Sequence, residues 1–364
     1  MNTNPSLAGR IVAWQRQHGR HTLPWQQTRD PYRVWLSEIM LQQTQVSTVL
    51  GYYERFLARF PDVAALAAAP ADEVLAMWAG LGYYSRARNL HRCAQAVVAE
   101  HGGVFPRSAE ALARLPGIGR STSAAIAAFC FDERVAILDG NVKRVLTRAL
   151  GFGEDIAQGR NERALWALAE ELLPSPDGMV AYTQGLMDLG ATVCAQRAPR
   201  CSACPLQEDC VASREGRPEA YPLKTRKLKR GQRELTLLWL QQADRLWLLR
   251  RPATGIWAGL WSLPEFESVD AMHAWLAGWP GRSEALAGFT HVLTHLDLHI
   301  TPLRHTLPAQ SARDALLQAR WPEGRWVRRD ELPAFGLPAP VARLVGRSDE
   351  LLAAQELVDQ REPL

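Results

Sequence analysis

Residues 112–148 read LARLPGIGRSTSAAIAAFCFDERVAILDGNVKRVLTR, and this stretch decides the fold of the first half of the chain. Two helical patterns flank a turn at residues 115–119. Pro116 cannot continue a helix, whereas Gly117 and Gly119 permit a tight turn that leaves amide groups bare. The pattern predicts a helix-hairpin-helix, whose amides can bind an anion such as a nucleic-acid phosphate. Similar turns also join helices that never meet DNA, so both interpretations stay open.

A short apolar run leads from the hairpin to Asp139, which opens the next helical pattern. An acidic side chain this close to a phosphate-binding turn suggests chemistry on DNA as well as binding. Asp is also a preferred N-cap residue, so Asp139 can simply cap its helix. The two roles are compatible.

A second carboxyl, Glu38, lies within one long helix predicted for residues 32–60. Its neighbours one helical turn away include Val34, Trp35 and Leu41, so the carboxyl shares its face with mostly apolar side chains. Such surroundings raise a carboxyl pKa toward the value that a general acid needs. Without further context, a solvated helix glutamate is the simpler alternative.

The chain has 364 residues, which is long for a single core and predicts two domains. No apolar run approaches the roughly 20 residues of a membrane span, and residues 1–20 contain no signal-peptide core. The expectation is a soluble, cytoplasmic protein without a membrane partner. A net charge of +4 is only a weak argument for a polyanionic partner, so any basic surface must be local.

Four of the six cysteines are bunched, whereas Cys93 and Cys130 stand alone in helical patterns. The bunched cysteines are Cys194, Cys201, Cys204 and Cys210. Four thiols on a short loop suit either tetrahedral zinc or an iron–sulfur cluster. Structural zinc usually takes two Cys-x2-Cys pairs, and only one pair occurs here, so the spacing favours iron–sulfur.

The pattern changes along the chain indicate how it divides. Residues 1–213 lack convincing strand alternation and form an all-helical domain, with the hairpin at 112–131 and the cysteine loop at 194–210. Residues 214–233 have the composition of a basic linker. Residues 234–364 are α+β by pattern.

Several segments of the second domain are predictable in outline. Strands at residues 235–240 and 245–249 are predicted to pair, and a short helix is predicted at 271–278. Residues 291–300 alternate between apolar and polar side chains, which predicts one continuous strand.

Together, these motifs resemble the endonuclease III superfamily and, within it, the MutY-type adenine DNA glycosylases. The resemblance rests on SEIMLQQTQ at residues 37–45, the hairpin turn, LDGNVKR at 138–144 and the four cysteines. It implies an all-α, two-lobed helix-hairpin-helix glycosylase domain with an iron–sulfur cluster loop, followed by a smaller α+β Nudix-like domain. It also implies a [4Fe-4S] cluster on Cys194, Cys201, Cys204 and Cys210.

The resemblance implies a monomeric base-excision repair glycosylase, nucleoid-associated in the cytoplasm, that acts on double-stranded DNA. It would flip out and hydrolytically remove adenine mispaired with 8-oxoguanine or guanine. Glu38, protonated, would act as general acid on the base; Asp139, ionised, would stabilise the positive sugar; and Asn141 would position Asp139. The implied substrate- and DNA-binding residues are Leu23, Trp25, Gln42, Gln43, Tyr83, Gly117, Gly119, Ser121, Gln184, Thr294 and His295.

Departures from the family pattern refine these expectations. Bifunctional relatives carry a nucleophilic lysine where this chain has Ser121, so little intrinsic strand cleavage is expected. The lesion-reading Phe-Ser-His of the family is Leu293-Thr294-His295 here, and His21 stands where some relatives have Arg. The rival interpretations are a bifunctional pyrimidine-lesion glycosylase, which Ser121 opposes, and a non-catalytic iron–sulfur DNA-binding regulator.

Overall fold

The computed structural model describes residues 6–225 and 229–346, and these divide into two compact units. The first unit takes residues 6–68 and 89–225, and the second takes residues 69–88 and 229–346. Residues 69–88, expected in the helical domain, therefore cluster with the C-terminal unit. Of the basic linker, residues 226–228 lie outside the described residues.

The described part of the first unit consists of α-helices, short 3-10 turns and loops, which confirms the all-helical prediction. Helices up to the hairpin are α1 (Leu7–His18), α2 (Pro31–Leu41), α3 (Val46–Arg59), α4 (Val63–Ala68), α6 (Ser85–His101) and α7 (Ala109–Leu112). The remaining helices are α8 (Arg120–Phe131), α9 (Gly140–Leu150), α10 (Gly159–Glu171), α11 (Met179–Thr192) and α12 (Val211–Arg214). Helix α5 (Ala71–Met77) belongs to the second unit, and α6 begins there.

The prediction of a single helix over residues 32–60 is wrong, because α2 ends at Leu41 and α3 begins at Val46. Gln43 has a φ of 58°, in the left-handed region, and no α-helix can continue through that conformation. The chain turns there, and the Thr44 amide donates to the carbonyl of Leu41 at 3.3 Å. The break places Gln42 and Gln43 on a loop beside the last turn of α2.

The predicted hairpin turn is present between α7 and α8, although α7 is only four residues long. Gly117 has a φ of 77°, and a Cβ there would approach the Asn89 Cβ to 2.5 Å, so glycine is required on both counts. Gly119 is the N-cap residue of α8. The residues on either side of the α8 N-terminus, Gly119 and Arg120, are exposed, which leaves the turn accessible to a ligand.

The second unit is built on one mixed sheet, which confirms the α+β prediction. Its strands are β1 (Gly231–Gln242), β2 (Arg245–Arg250), β3 (Trp261–Ser262), β4 (Glu265–Phe266), β5 (Arg282–Ala285), β6 (Phe289–Val292), β7 (Leu296–Leu307) and β8 (Arg325–Arg328). The main path runs β3-β2-β1-β7-β5, in which β1 and β7 are parallel and the other neighbours are antiparallel. Helices α13 (Val269–Leu276) and α14 (Asp314–Arg320) contribute Leu276 and Leu317 to a core that contains Leu238 and Trp247.

The prediction of a continuous strand over residues 291–300 is also wrong. Strands β6 and β7 form an antiparallel hairpin in which Val292 pairs with Asp297. The Leu293 amide donates to the carbonyl of Leu296 at 2.8 Å, closing the turn. Thr294 and His295 therefore lie at a hairpin tip rather than on a strand face. Alternation alone cannot reveal such a turn, because the apolar period resumes beyond it.

Within residues 6–225 and 229–346, no helix is both long and apolar enough to cross a membrane.

The contact between α1 and α11 generates a prediction about stability. A Cβ added at Gly185 would lie 2.7 Å from Ile11 Cγ2 and 3.0 Å from Gln15 Cβ, so the two helices would have to separate. We expect Gly185→Ala to lower the free energy of unfolding by about 1–3 kcal/mol, as overpacking of a well-packed core does. Urea denaturation measures the change. Gly153→Ala, where a Cβ would meet nothing within 4 Å, is the control and should be nearly neutral.

Candidate active site

The first unit contains a cleft of about 1020 Å³ that collects nine of the side chains singled out from the sequence. The predicted residues that line it are Leu23, Trp25, Glu38, Gln42, Gln43, Ser121, Asp139, Asn141 and Gln184. They come from the loop before α2, the end of α2, the α2–α3 loop, and helices α8, α9 and α11. The fold therefore brings together residues up to 161 positions apart, counted from Leu23 to Gln184. Trp25 is buried against Tyr53, edge to face at 5.3 Å between ring centroids.

Glu38 lies on the last turn of α2 with the buried residues Val34 and Trp35 preceding it on the helix. Burial, and then the nearby charge of Asp139, raises the pKa of Glu38 to about 8. A carboxyl with that pKa is mostly protonated at neutral pH and can donate a proton. Glu38 is therefore a desolvated group in a cleft wall and not the solvated glutamate that the sequence alone favoured.

Asp139 caps α9, since its Oδ1 accepts from the Val142 amide at 2.8 Å. Its pKa is raised by burial, and the backbone amides of Val142 and Asn141 oppose that increase, followed by the charge of Arg144. The amides that oppose the increase stabilise the ionised form. The capping role and a place in the cleft thus coexist in one side chain.

Ser121 fixes the backbone immediately before Asp139. Its Oγ accepts from the Leu138 amide at 3.1 Å, which ties the start of α8 to the segment entering α9. Asn141 is held in turn by Arg144, whose Nη2 donates to the Asn141 Oδ1 at 2.8 Å. The cleft wall around Asp139 is therefore positioned by side-chain hydrogen bonds on both sides.

A network on α11 was missed by the sequence analysis. Asp188 is fully buried and accepts from Arg20 Nε at 2.7 Å and from Gln184 Nε2 at 2.9 Å. Arg20 and Gln184 line both the large cleft and an adjoining cavity of about 320 Å³ that also reaches Glu38. The spacing Gln184-x3-Asp188, one helical turn, was the available signal, but a buried acid cannot be recognised without its partner.

Arg144 and Arg148 were also missed, and they connect the cleft to the cysteine loop. Arg144 Nε donates to the Cys194 carbonyl at 2.7 Å, in addition to its bond with Asn141. Arg148 is buried and donates to the Ala195 carbonyl at 2.6 Å and to Cys194 Sγ at 3.3 Å. Both arginines line the cleft.

The four bunched cysteines form a donor set of free thiols, of which Cys194 and Cys204 pack against the helical core. Burial raises the pKa of Cys204 to about 11. Because the other three cysteines lie near it, their charges contribute to this increase. Four closely spaced thiolates repel one another unless bound metal neutralises their charge. Within the described residues, no three His, Cys, Asp or Glu side chains are arranged to hold a single metal ion.

The remaining predicted residues lie outside the cleft. Gly117 and Gly119 form the hairpin turn in the first unit. Tyr83 and Thr294 meet within the second unit, where their hydroxyl groups are 2.8 Å apart. Tyr83 has a φ of 46° and a 43% exposed side chain, whereas Tyr84 is buried and bonds the Leu337 carbonyl. Only Tyr83 of this pair is therefore available to a partner.

The chain is similar in sequence to known DNA repair proteins. Residues 36–171 match the model of the HhH-GPD superfamily of base excision DNA repair proteins, and residues 235–347 match the NUDIX domain. An adenine DNA glycosylase of Buchnera aphidicola subsp. Acyrthosiphon pisum (strain APS) is 34% identical over 92% of this chain and 95% of its own.

A human protein and a solved structure are also similar to this chain. The adenine DNA glycosylase of Homo sapiens is 33% identical over 90% of this chain and 71% of its own. The structure of a thermostable thymine-DNA glycosylase superposes with a TM-score of 0.51 and 31% identity, covering 57% of this chain and 95% of that one.

The raised pKa of Glu38 predicts a pH-dependent stability. The ordinary pKa is 4.5 and the folded pKa about 8, so between these values the folded form binds more protons and stability falls as pH rises. Glu38→Gln removes this loss of stability. We expect the substitution to stabilise the protein by about 1–3 kcal/mol at pH 8, because Glu38 is partly exposed and solvent reduces the full effect of its pKa shift.

Urea denaturation at pH 5, 7 and 9 measures the difference, which should grow with pH. Glu110→Gln, which removes an exposed carboxyl, is the control. A Glu38→Gln advantage that does not change with pH would contradict the assigned shift.

Proposed function

The chain belongs to the adenine DNA glycosylase family, and from this premise we propose that it removes adenine paired with 8-oxoguanine or guanine in double-stranded DNA. The observation that carries the proposal is the single cleft that Glu38 and Asp139 both line. A base inside a duplex cannot be reached by these carboxyls, so the adenine is flipped out of the helix into the cleft. The volume of about 1020 Å³ is ample for one nucleotide.

Glu38 is the general acid in this mechanism. Its pKa of about 8 keeps it protonated at neutral pH, and it delivers a proton to a ring nitrogen of the adenine. Protonation turns the base into a neutral leaving group when the bond to the sugar breaks. The buried ring of Trp25 and the side chain of Leu23 enclose the base and exclude water from the acid.

Asp139 works on the sugar. Its carboxylate, supported by the amides of Val142 and Asn141, stabilises the positive charge that grows on the deoxyribose as the glycosidic bond breaks. Water then adds to the sugar at C1′, and the Glu38 carboxylate, which has given its proton to the base, accepts the proton that the water loses. Asn141, held by Arg144, positions Asp139 and the sugar.

Ser121 supports a monofunctional reaction. A strand-cleaving relative needs an amine at this position to attack the sugar and form a Schiff base. Ser121 instead uses its hydroxyl to accept from the Leu138 amide, so it holds the backbone. The product is an abasic site in an otherwise intact strand.

DNA binding and lesion reading use residues outside the catalytic pair. The amides of the Gly117–Gly119 turn hold a backbone phosphate, and Gln42 and Gln43, on the loop after α2, contact the duplex. In the second unit, Tyr83 wedges between bases while Thr294 and His295 hydrogen-bond the modified guanine. The enzyme acts as a monomer on the nucleoid in the cytoplasm.

The cysteine loop holds a [4Fe-4S] cluster in this proposal, with Cys194, Cys201, Cys204 and Cys210 as ligands. The donor chemistry fits, since four free thiols lie together beside the guanidinium of Arg148, which donates to Cys194 Sγ. When bound, the cluster supplies a rigid cross-link for this loop. Through Arg144 the ordered loop supports Asn141 and the cleft wall.

The catalytic proposal predicts a specific pattern of base release. Wild-type protein should release adenine from a duplex with A opposite 8-oxoguanine, seen as strand breakage only after alkali, and it should not be trapped on DNA by borohydride. Glu38→Gln should slow release by about 10²–10⁴-fold, as loss of a general acid does, while duplex affinity stays within a few fold.

Single-turnover rates and fluorescence anisotropy measure the two effects. Glu110→Gln serves as control. A duplex with thymine glycol opposite adenine should be left intact. Release of the oxidised pyrimidine, or strand breakage without alkali, would favour the bifunctional alternative.

The cofactor proposal predicts about four irons and four sulfides per chain and a brown protein. Cys204→Ser should lose iron and unfold at lower temperature, because the loop loses its cross-link. Cys130→Ser, at a lone cysteine in α8, should keep its iron. Metal analysis of the three proteins is the measurement, and a colourless wild-type protein containing zinc would overturn the assignment.

A further inference from the structure

Asp188 is a charged residue that the catalytic steps above do not use. Its side chain is fully buried on α11 and accepts four contacts from two residues. The Arg20 amide donates to Oδ2 at 2.9 Å, Arg20 Nε and Nη2 reach Oδ1 at 2.7 and 2.6 Å, and Gln184 Nε2 reaches Oδ1 at 2.9 Å. A buried carboxyl with this many donors is a rigid anchor.

The hydrogen bond between Gln184 and Asp188 determines which group of the Gln184 amide, the NH₂ or the carbonyl, faces Asp188. A carboxylate offers only acceptors, so Gln184 must turn its NH₂ group toward Asp188. The carbonyl oxygen of the amide is then the group left for a ligand in the cleft that Gln184 lines. A glutamine without such an anchor could present either its donor or its acceptor.

We infer that Asp188 is a positioning residue that sets the polarity of the Gln184 amide and thereby selects a purine with an amino group at C6 over one with a carbonyl there. A 6-amino group donates to the fixed acceptor, whereas a 6-oxo group places two acceptors against each other. The inference rests on the proposed function and adds a discrimination between adenine and hypoxanthine.

Asp188→Asn tests this because it changes one oxygen to NH₂ without changing shape. The Arg20 backbone amide cannot move, so the remaining oxygen of residue 188 stays with it. The Arg20 side chain is 30% exposed and can swing away, which leaves the new NH₂ group facing Gln184. The Gln184 amide then turns over and presents its own NH₂ group to the cleft.

The measurement is the ratio of single-turnover release rates for adenine and hypoxanthine, each opposite 8-oxoguanine. We expect the adenine-to-hypoxanthine ratio to fall by about tenfold or more in Asp188→Asn. The Gln184 NH₂ group would then oppose the 6-amino group of adenine but could donate to the 6-oxo group of hypoxanthine. A merely structural role would slow both substrates equally and leave the ratio unchanged. Because both rates come from one preparation, the fraction of active protein cancels.

The double variant Gln184→Glu with Asp188→Asn exchanges the carboxylate and the amide. The carboxylate introduced at position 184 accepts from the new NH₂ group and still offers an acceptor to the base, so the adenine preference should return. Asp132→Asn is the matched control. The Asp132 carboxyl also accepts from an arginine, Arg29, whose Nη1 and Nη2 lie 2.6 and 3.1 Å from its oxygens, but this ion pair includes no glutamine. Its ratio should match wild type.

A folded Asp188→Asn variant with the wild-type ratio overturns the inference. If that variant does not fold, Gln184→Met removes the amide while leaving Asp188 with Arg20, and an unchanged ratio there overturns the inference equally. Wild-type protein that releases no adenine at all would instead refute the proposed function, so the two failures are distinct.

Discussion

The burial of two carboxyls in one cleft is the constraint on which the rest of the site depends. Burial raises the pKa of both Glu38 and Asp139, and the charge of Asp139 raises the pKa of Glu38 further. Contacts with the backbone make the pKa values of the two carboxyls respond differently to burial. Asp139 sits at the start of α9, where the Val142 and Asn141 amides favour its ionised form, while Glu38 sits at the end of α2, where its pKa stays high because burial dominates. Helix position thus opposes the increase in the pKa of Asp139 but leaves the increase in the pKa of Glu38 unopposed.

The different environments of Glu38 and Asp139 require accurate placement of the backbone on both walls of the cleft. The α2–α3 break follows soon after Glu38 and keeps Gln42 and Gln43 in the cleft lining, and Gln43 takes the left-handed conformation needed for the turn. On the opposite wall, Ser121 holds the Leu138 amide, so α8 and the entry to α9 move together. These contacts are local and polar, and they make the wall rigid without adding apolar area.

The sequence predicted the elements well and their interruptions poorly. The all-helical first unit, the hairpin turn and the β1–β2 pair follow from periodicity and from the demands of proline and glycine. The breaks at residues 42–45 and 293–295 did not, because an apolar period that resumes in phase conceals a turn. Glu38 and Asp139 were identifiable by motif, whereas the desolvation of Glu38 depends on packing from other helices. Asp188, Arg144 and Arg148 were missed because a charged residue in a helical pattern usually faces solvent.

The same limit applies to contacts between distant loops. Tyr83 and Thr294 are 211 positions apart, and each sits on a turn whose geometry the periodicity of its own segment does not determine. Sequence patterns locate each turn within its own segment but do not predict that the two turns contact each other. Their hydroxyls meet because residues 69–88 leave the helical unit to join the second one. An exposed aromatic is thereby anchored to the hairpin tip of the Nudix-like unit, because residues 69–88 belong to that unit although the residues on either side of this segment belong to the helical one.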